Sequence, residues 1–194
     1  LPPKINTQYI LNSVMPEKDV DVLSGRALGD FYVGRSHVLP PVVAAVELIL
    51  NQIFKIRKVG NLVSDFSDKN IVIVGAGRLV GKPLAVRFIN YGATVSILNK
   101  NTPDISKFTQ DADILISGVG VSKFIKADMV KNGVIVIDCG TSVEKNEEGQ
   151  KVSGDVDFDA VKEKAAYITP VPGGVGPVTV AMLFSNLVKL GKMR

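Results

Sequence analysis

The sequence contains one cysteine, one histidine and no tryptophan among its 194 residues. A single cysteine, Cys139, excludes an intramolecular disulfide and is typical of a reducing compartment. Because Cys139 ends the apolar run GVIVIDC, we expect a buried, unreactive thiol. His37 has neither a second histidine nor a nearby cysteine to act with it. We therefore expect no zinc or other metal site and no Ser-His-Asp triad.

Aromatic residues and clustered charges are also scarce. Aromatic side chains make up 6% of the chain, and the formal charge of +4 comes from scattered lysines and arginines. A surface that stacks nucleic-acid bases needs more aromatic residues than this. No apolar run reaches the roughly 18 residues that cross a bilayer. We therefore expect a cytoplasmic protein that binds neither nucleic acid nor membrane.

From residue 70 onward, continuous apolar segments alternate with helical ones. The predicted strands are 70–75, 93–98, 112–120, 134–140 and 166–169. The predicted helices are 79–92, 104–111, 157–165 and 177–192, and a helical turn is predicted over 126–133. Apolar strands separated by helices indicate a parallel sheet that is covered on both faces. The predicted fold class is α/β, with a Rossmann-like, doubly wound and mostly parallel sheet.

The N-terminal part and one later segment do not follow this alternation. A short helix is predicted over 7–14, ended by Pro16, then a connector over 25–34 and a helix from Pro41 to Gly60. Residues 141–156 resemble a β-hairpin with its turn near Glu147, Glu148 and Gly149. Such an arm could pair with a second subunit or fold back on its own domain, and the sequence leaves both open.

A glycine-rich turn lies between the first predicted strand and its helix. In VIVGAGRLVGKP, Gly75, Gly77 and Gly81 flank Ala76 with the spacing G-x-G-x-x-x-G. In a strand–turn–helix context, such glycines let backbone amides approach a pyrophosphate at a helix N-terminus. The segment predicts dinucleotide binding, and the alternative is a tight turn that binds nothing.

The end of the second predicted strand bears on which dinucleotide is bound. An NAD site usually has an Asp or Glu here for the ribose hydroxyls, but this strand ends in SILNKNT. A cation without an acid suits a 2′-phosphate better than a free hydroxyl. Lys100 is therefore a candidate NADP contact, with NAD as the alternative cofactor and a solvated loop lysine as the alternative role.

Two further segments are candidate ligand contacts. Asp19 and Asp21 alternate with apolar residues, so both would point the same way from an extended segment, although the spacing alone favours a charged loop. ITPVPGGVGPVTVAML combines prolines that fix the backbone with glycines that free it. This loop at 170–177 is shaped around a ligand or is an ordinary connection between a strand and a helix.

Taken together, five segments resemble the methylenetetrahydrofolate dehydrogenase/cyclohydrolase family along essentially the whole chain. They are INTQYILNSVMPEKDVD, NIVIVGAGRLVGKP, ADILISGVG, GDVDF and ITPVPGGVGPVTVAML. The resemblance implies NADP-dependent oxidation of methylenetetrahydrofolate, followed by hydrolysis to formyltetrahydrofolate. It also implies a folate cleft between a Rossmann-like domain and a smaller α/β domain. The chain would then comprise a remnant of that smaller domain (1–40), the NAD(P)-binding domain (41–176) and a returning helix (177–194).

The resemblance implies roles for individual residues. Gly75, Ala76 and Gly77, with Gly81, match the family's cofactor loop. Lys100 falls in a segment that follows the second strand, and Thr141 at a position whose backbone contacts the nicotinamide. Asp21 matches an aspartate that hydrogen-bonds the pteridine ring, and Pro172, Gly173 and Gly174 form part of the folate–nicotinamide wall. The family is usually dimeric, which makes 141–156 a candidate dimer arm.

Departures from the family pattern concern the chemistry more than the fold. The family's catalytic lysine and its companion tyrosine precede the stretch that this sequence matches, so no catalytic residue is assigned in this chain. Ala76 and Gly77 stand where the family has Arg and Ser, and Val22 stands where it has glycine. We expect the cofactor domain of the enzyme, inactive alone. The alternative is a diverged, non-catalytic nucleotide-binding or scaffold protein with the same fold.

Overall fold

The computed structural model describes residues 5–54, 66–146 and 149–193. The helices are α1 (Thr7–Asn12), α2 (Gly25–Tyr32), α3 (Pro41–Ile53), α4 (Gly81–Asn90), α5 (Ser106–Thr109), α6 (Phe158–Val161) and α7 (Val175–Gly191). The strands are β1 (Asn70–Val74), β2 (Thr94–Leu98), β3 (Ile114–Ser117), β4 (Ile135–Asp138), β5 (Ser142–Asn146), β6 (Gly149–Ser153) and β7 (Tyr167–Ile168). Single 3₁₀ turns lie at Pro16–Lys18 and Ala127–Met129.

Five strands form one parallel sheet in the order β2-β1-β3-β4-β7. The predicted α/β, Rossmann-like fold is therefore confirmed. Chain order reverses between β1 and β3, where Ile71 pairs with Ile114. In doubly wound sheets, ligands bind in the crevice at the carboxyl ends of the two strands that flank such a reversal. The topology thus directs attention to the residues that follow β1 and β3.

Apolar cores cover both faces of the sheet. Alternate residues of β1 point to opposite sides, so Ile71 and Ile73 pack in the core that includes residues of α3, α4 and α7. Val72 and Val74 pack in the other core, which also includes Val161 of α6. All four residues of β3 and of β4 are buried. This two-sided burial explains why these strands are continuously apolar in sequence.

The N-terminal segment is joined to the end of the chain by α7. Helix α3 packs along α7, and the buried side chain of Asn186 connects them to the preceding loops. Its Nδ2 donates to the carbonyl oxygens of Val20 (2.9 Å) and Leu39 (2.8 Å). On the other side of α3, buried Glu47 accepts hydrogen bonds from Tyr91 Oη (2.8 Å) and Arg87 Nε. The loops at 19–24 and 39–41 are thereby held beside the sheet.

Several predicted elements differ from the structure. The predicted connector over 25–34 is wrong, since most of it is helix α2, capped by Ser24 Oγ accepting from Ala27 N (3.2 Å). Glycines at 25 and 29 hid its period, although Ala27 and Phe31 are buried four residues apart. The helices predicted over 104–111 and 157–165 are only four residues long, and α1 ends at Asn12 rather than at Val14. The predicted end of α3 at Gly60 lies outside the described residues.

The predicted hairpin is present as β5 and β6, which pair antiparallel. Its predicted turn falls partly at 147–148, outside the described residues. Val143 and Val152 are directly opposed on the two strands and are 61% and 42% exposed.

Among the helices that the structure describes, none is long and apolar enough to span a membrane.

Candidate functional site

The crevice between β1 and β3 is lined by glycines that admit no side chain. Gly75 has φ +110°, and a Cβ there would lie 2.5 Å from the carbonyl oxygen of Gly118, which follows β3. A Cβ at Gly81 would overlap the carbonyl group of Gly75. A Cβ at Gly77, by contrast, would meet no atom within 4 Å. Gly75 and Gly81 therefore close the turn, while the backbone at Gly77 faces open space.

Helix α4 begins directly after this turn and has no side-chain cap at its first residue. Among the N–H groups of its first turn, Lys82 N donates to Gly77 O (3.0 Å). An uncapped helix start carries partial positive charge and suits an anion. The predicted cofactor residues Gly75, Ala76, Gly77 and Gly81 thus lie together in one loop with the chemistry of a diphosphate site.

Lys100 lies apart from this loop, in the turn after β2. The turn is fixed by Asn99, whose Oδ1 accepts from Asn101 N (2.8 Å) and whose N–H donates to Thr102 Oγ1 (3.0 Å). Lys100 itself is exposed. Because β2 is adjacent to β1, Lys100 stands at the same edge of the sheet as the glycine turn. This is where the ribose end of a dinucleotide would lie if its diphosphate occupied that turn.

A cavity of about 450 Å³, called the site cavity below, lies beside the crevice. Its walls come from the loops after β1, β4 and β7 and from the two N-terminal loops that Asn186 holds. The sequence-predicted residues that line it are Asp21, Thr141, Pro172, Gly173 and Gly174. Fold topology thus brings together residues that are up to 153 positions apart. Gly75, Ala76, Gly77 and Lys100 lie outside this lining.

The proline- and glycine-rich loop is one wall of the site cavity. Gly173 has φ +104°, which favours glycine, and a Cβ at Gly174 would collide with the carbonyl oxygen of Pro170. The Val171–Pro172 peptide bond is cis. Just before the loop, Thr169 Oγ1 accepts from Asp138 N (2.8 Å) and so joins the loop to β4. A residue other than glycine at position 173 or 174 would therefore change the backbone shape of this wall.

Asp19 and Asp21 do not share a face, so that sequence interpretation is wrong. The segment turns at Val22, which has φ +56°. Asp19 is buried and accepts from Leu23 N (3.0 Å) and Ser24 N (2.8 Å). Asp21 is exposed to the site cavity. Partial burial, and then the nearby Asp19 carboxylate, raise the pKa of Asp21 above its ordinary value.

Two buried carboxylates beneath the cavity were not assigned roles from the sequence. Asp138 Oδ1 accepts from Gly140 N (2.8 Å) and its Oδ2 from Val156 N (2.9 Å). Asp155 Oδ2 accepts from Val119 N (2.6 Å), and its Oδ1 accepts from Val121 N (3.0 Å). Burial raises the pKa of Asp138, against the effect of its backbone donors. These contacts fix the loops after β3 and β4, and the GDVDF segment was the sequence signal for Asp155.

Cys139 is partly exposed on the cavity wall rather than buried. Desolvation, followed by the carboxylates of Asp138 and Asp155, raises the pKa of the thiol. A protonated thiol is a poor nucleophile, as the sequence analysis expected. The described residues contain no group of three or more His, Cys, Asp or Glu side chains that could hold a metal ion.

Arg78 is a cavity residue that sequence reasoning did not single out. It follows Gly77 in the glycine turn, and its Nη1 and Nη2 donate to Gln8 Oε1 (2.9 Å) and Leu23 O (3.1 Å). Arg78 and Asp21 are thus the cation and the anion that line the cavity at its N-terminal side. A motif search centred on glycines gives no signal for such a contact across the cleft.

Comparison with known proteins identifies the family of this chain. The family model for the tetrahydrofolate dehydrogenase/cyclohydrolase NAD(P)-binding domain matches residues 54–194. The bifunctional protein FolD of Hydrogenobaculum sp. is 43% identical over all of this chain and 66% of its own length. This chain therefore spans slightly less than two thirds of that relative.

Solved structures give the same result. FolD methylenetetrahydrofolate dehydrogenase/cyclohydrolase from Campylobacter jejuni has a TM-score of 0.87 and 41% identity, covering 100% of this chain and 65% of that one. The Trypanosoma brucei enzyme, complexed with NADP cofactor and inhibitor, has a TM-score of 0.86 and 34% identity, covering 100% and 64%.

Proposed function

This chain belongs to the tetrahydrofolate dehydrogenase/cyclohydrolase family, and we propose that it binds NADP in the crevice between β1 and β3 and a tetrahydrofolate derivative in the site cavity. The observation that carries the proposal is the shared cavity of Asp21 and Gly173 beside the glycine turn. Neither Asp21 nor any residue of 170–174 belongs to the apolar cores. A ligand explains why both are placed there.

The glycine turn fits a dinucleotide. Gly75, Gly81 and Gly118 leave no room for side chains, the backbone at Gly77 is open, and the start of α4 is uncapped. Backbone amides there would hold the diphosphate, and Lys100 would contact the 2′-phosphate that distinguishes NADP from NAD. The bound nicotinamide accepts a hydride from the methylene group of the folate. The residues of this chain would supply binding and orientation for that transfer.

The site cavity suits a flat, partly polar ring system. Pro172, Gly173 and Gly174 would form one wall at a fixed distance, and the Asp21 carboxylate would accept hydrogen bonds from ring N–H groups at the opposite side. The backbone packs closely at Gly174, where a Cβ would collide with Pro170 O, and Thr169 joins the wall to Asp138. Such a wall contributes to catalysis by holding reacting groups near their productive geometry.

We propose that turnover needs residues in addition to the described ones that line the site cavity. Among the described residues, the titratable side chains that line the cavity are Asp21, Arg78, Asp138 and Cys139, and none is a lysine. By family resemblance, the catalytic lysine precedes the stretch that this chain matches. We therefore propose that the full enzyme oxidises methylenetetrahydrofolate and hydrolyses the product, with this chain as its cofactor-binding part. The division into 1–40, 41–176 and 177–194 remains a prediction.

Two measurements on the purified chain test this proposal. Calorimetric titration with NADP should show saturable binding, because the cofactor crevice lies within the described residues. Incubation with methylenetetrahydrofolate and NADP should give no NADPH absorbance above background. Binding without turnover supports the proposal. Robust turnover would contradict the missing-lysine argument, and no binding of NADP or NAD would favour the diverged, non-catalytic alternative.

The hairpin β5–β6 supports a homodimer. Val143 is 61% exposed on one strand of the hairpin, and the opposed Val152 is 42% exposed and lines the site cavity. Exposed apolar strand surface favours pairing with another chain. Val143→Lys should shift the sedimentation coefficient toward that of a monomer. The control is Val33→Lys, which changes a valine outside the hairpin that is 62% exposed and should leave the sedimentation coefficient unchanged. A dimer unaffected by Val143→Lys would place the interface elsewhere.

The cytoplasmic location remains a prediction.

A further inference from the structure

The glycine turn is attached to the N-terminal loops through one side chain. Arg78 Nη1 donates to Gln8 Oε1 (2.9 Å) in α1, and its Nη2 donates to Leu23 O (3.1 Å). Arg78 is an exposed residue, and these two hydrogen bonds connect it to the N-terminal segment. The contact therefore depends on the conformation of the turn that carries it.

Leu23 belongs to the loop that presents Asp21 to the site cavity. One side of this loop is anchored, because Asp19 accepts from Leu23 N (3.0 Å) and Ser24 N (2.8 Å). The carbonyl of Leu23 faces the other way and receives Arg78. Only Val22, at φ +56°, separates Leu23 from Asp21. Loss of the hydrogen bond between Arg78 and Leu23 would therefore alter the conformation of the loop at Asp21.

The contact through Gln8 strengthens this attachment. Gln8 Nε2 donates to Asn12 Oδ1 (2.7 Å), which also accepts from Gly25 N (2.8 Å) at the start of α2. The guanidinium is thus connected to α1 through Gln8 and to the loop that precedes α2 through Leu23. A planar guanidinium can hold two acceptors at once with fixed geometry, which an ammonium cannot do equally well.

We propose that Arg78 is a positioning residue that couples occupancy of the glycine turn to the order of the Asp21 loop. This inference rests on the proposed function, since it takes a bound dinucleotide diphosphate as the group that orders residues 75–81. An ordered turn holds Arg78 in the geometry that reaches Leu23, so the Asp21 loop loses less freedom when its own ligand binds. Coupling of this kind is reciprocal and typically changes affinity by about 5-fold or more.

Hydrogen exchange of the 194-residue chain with and without saturating NADP tests the coupling. In the wild type, amides of 19–25 should exchange about 5-fold more slowly with NADP, together with those of 75–81. In Arg78→Ala, 75–81 should still be protected but 19–25 should respond less than about 2-fold. The matched control is Arg35→Ala, which removes an exposed arginine that pairs with Asp30 and should keep the response.

The outcomes separate the coupling from the proposed function. A wild-type chain that binds NADP without protection at 19–25, or an Arg78→Ala chain that responds like the wild type, overturns the coupling and leaves cofactor binding intact. A wild-type chain that binds no NADP overturns the proposed function and the coupling with it. Partial recovery of the response in Arg78→Lys would identify charge, rather than the two-acceptor geometry, as the cause.

Discussion

Gly75 lies so close to Gly118 that a Cβ on the first would stand 2.5 Å from the carbonyl oxygen of the second. This approach joins the ends of β1 and β3 at the point where the sheet order reverses. It constrains the shape of the crevice doubly, because φ at Gly75 is also +110°.

We expect Gly75→Ala to destabilise the chain by about 2–4 kcal/mol, because it combines backbone strain with a steric clash. NADP affinity should fall as well, since the turn must shift. Gly77→Ala is the matched control, with open space around its Cβ, and should unfold at the wild-type urea midpoint. Equal stability of both variants would contradict the close approach.

Lys100→Ala should weaken NADP about 10-fold, the scale of one charge-assisted hydrogen bond, and leave NAD almost unchanged. Calorimetric titration with each cofactor measures this difference. Lys107→Ala removes an exposed lysine that pairs with Asp104 and should change neither affinity. If Lys100→Ala lowers both affinities equally, Lys100 does not contact the 2′-phosphate.

Gly174→Ala should deform the wall of the site cavity, because its Cβ would collide with Pro170 O. We expect a loss of about 1–3 kcal/mol in stability and weaker binding of a folate analogue. Gly29→Ala, inside α2 and with open space around its Cβ, should be neutral or slightly stabilising. Thermal unfolding distinguishes the two, and a neutral Gly174→Ala would show that the loop tolerates a different shape.

Val22 combines a buried side chain (1% exposed) with φ +56°. A left-handed backbone costs a non-glycine residue about 1–2 kcal/mol. Val22→Ala and Val22→Gly both lose the buried side chain, but only the second relieves this strain. Val22→Gly should therefore be at least as stable to urea as Val22→Ala, the reverse of the usual order in helices and strands. A Gly variant less stable by about 1 kcal/mol would contradict the strain.

Asp113, before β3, gives a pH-dependent control far from the cavity. Burial acts to raise its pKa, but the N–H of Asn70 (2.8 Å) and the ammonium of Lys131 (2.6 Å) lower it below the ordinary 3.8. Its stabilising contribution is therefore complete above pH 3.8 and is lost as pH falls through the lowered pKa.

Asp113→Asn should lower stability by less than about 1 kcal/mol at pH 7, because the pair is more than one third exposed. The difference from wild type should vanish near pH 2, and NADP affinity should not change. A stability difference that persists in acid would exclude the ion pair as its source.

Sequence reasoning recovered the parallel sheet because β1, β3 and β4 are buried on both faces and so are continuously apolar. It missed α2, because the glycines of this helix interrupt its apolar periodicity. In the structure, Ser24 caps the helix and Phe31 is one of its buried residues. It misplaced Asp19 relative to Asp21, because a positive φ at Val22 is not encoded by an ordinary turn residue. Arg78 was invisible for a different reason: its partners Gln8 and Leu23 are 70 and 55 residues away.

The central claim is that residues 75–81 hold the diphosphate of a dinucleotide with its nicotinamide toward Pro172 and Gly173. A crystal structure of the chain soaked in NADP tests it most directly. We predict phosphate density within hydrogen-bond distance of the amides that begin α4, and ring density against the 170–174 wall. A soaked crystal whose glycine turn stays free of cofactor, or whose NADP binds elsewhere, would contradict the account.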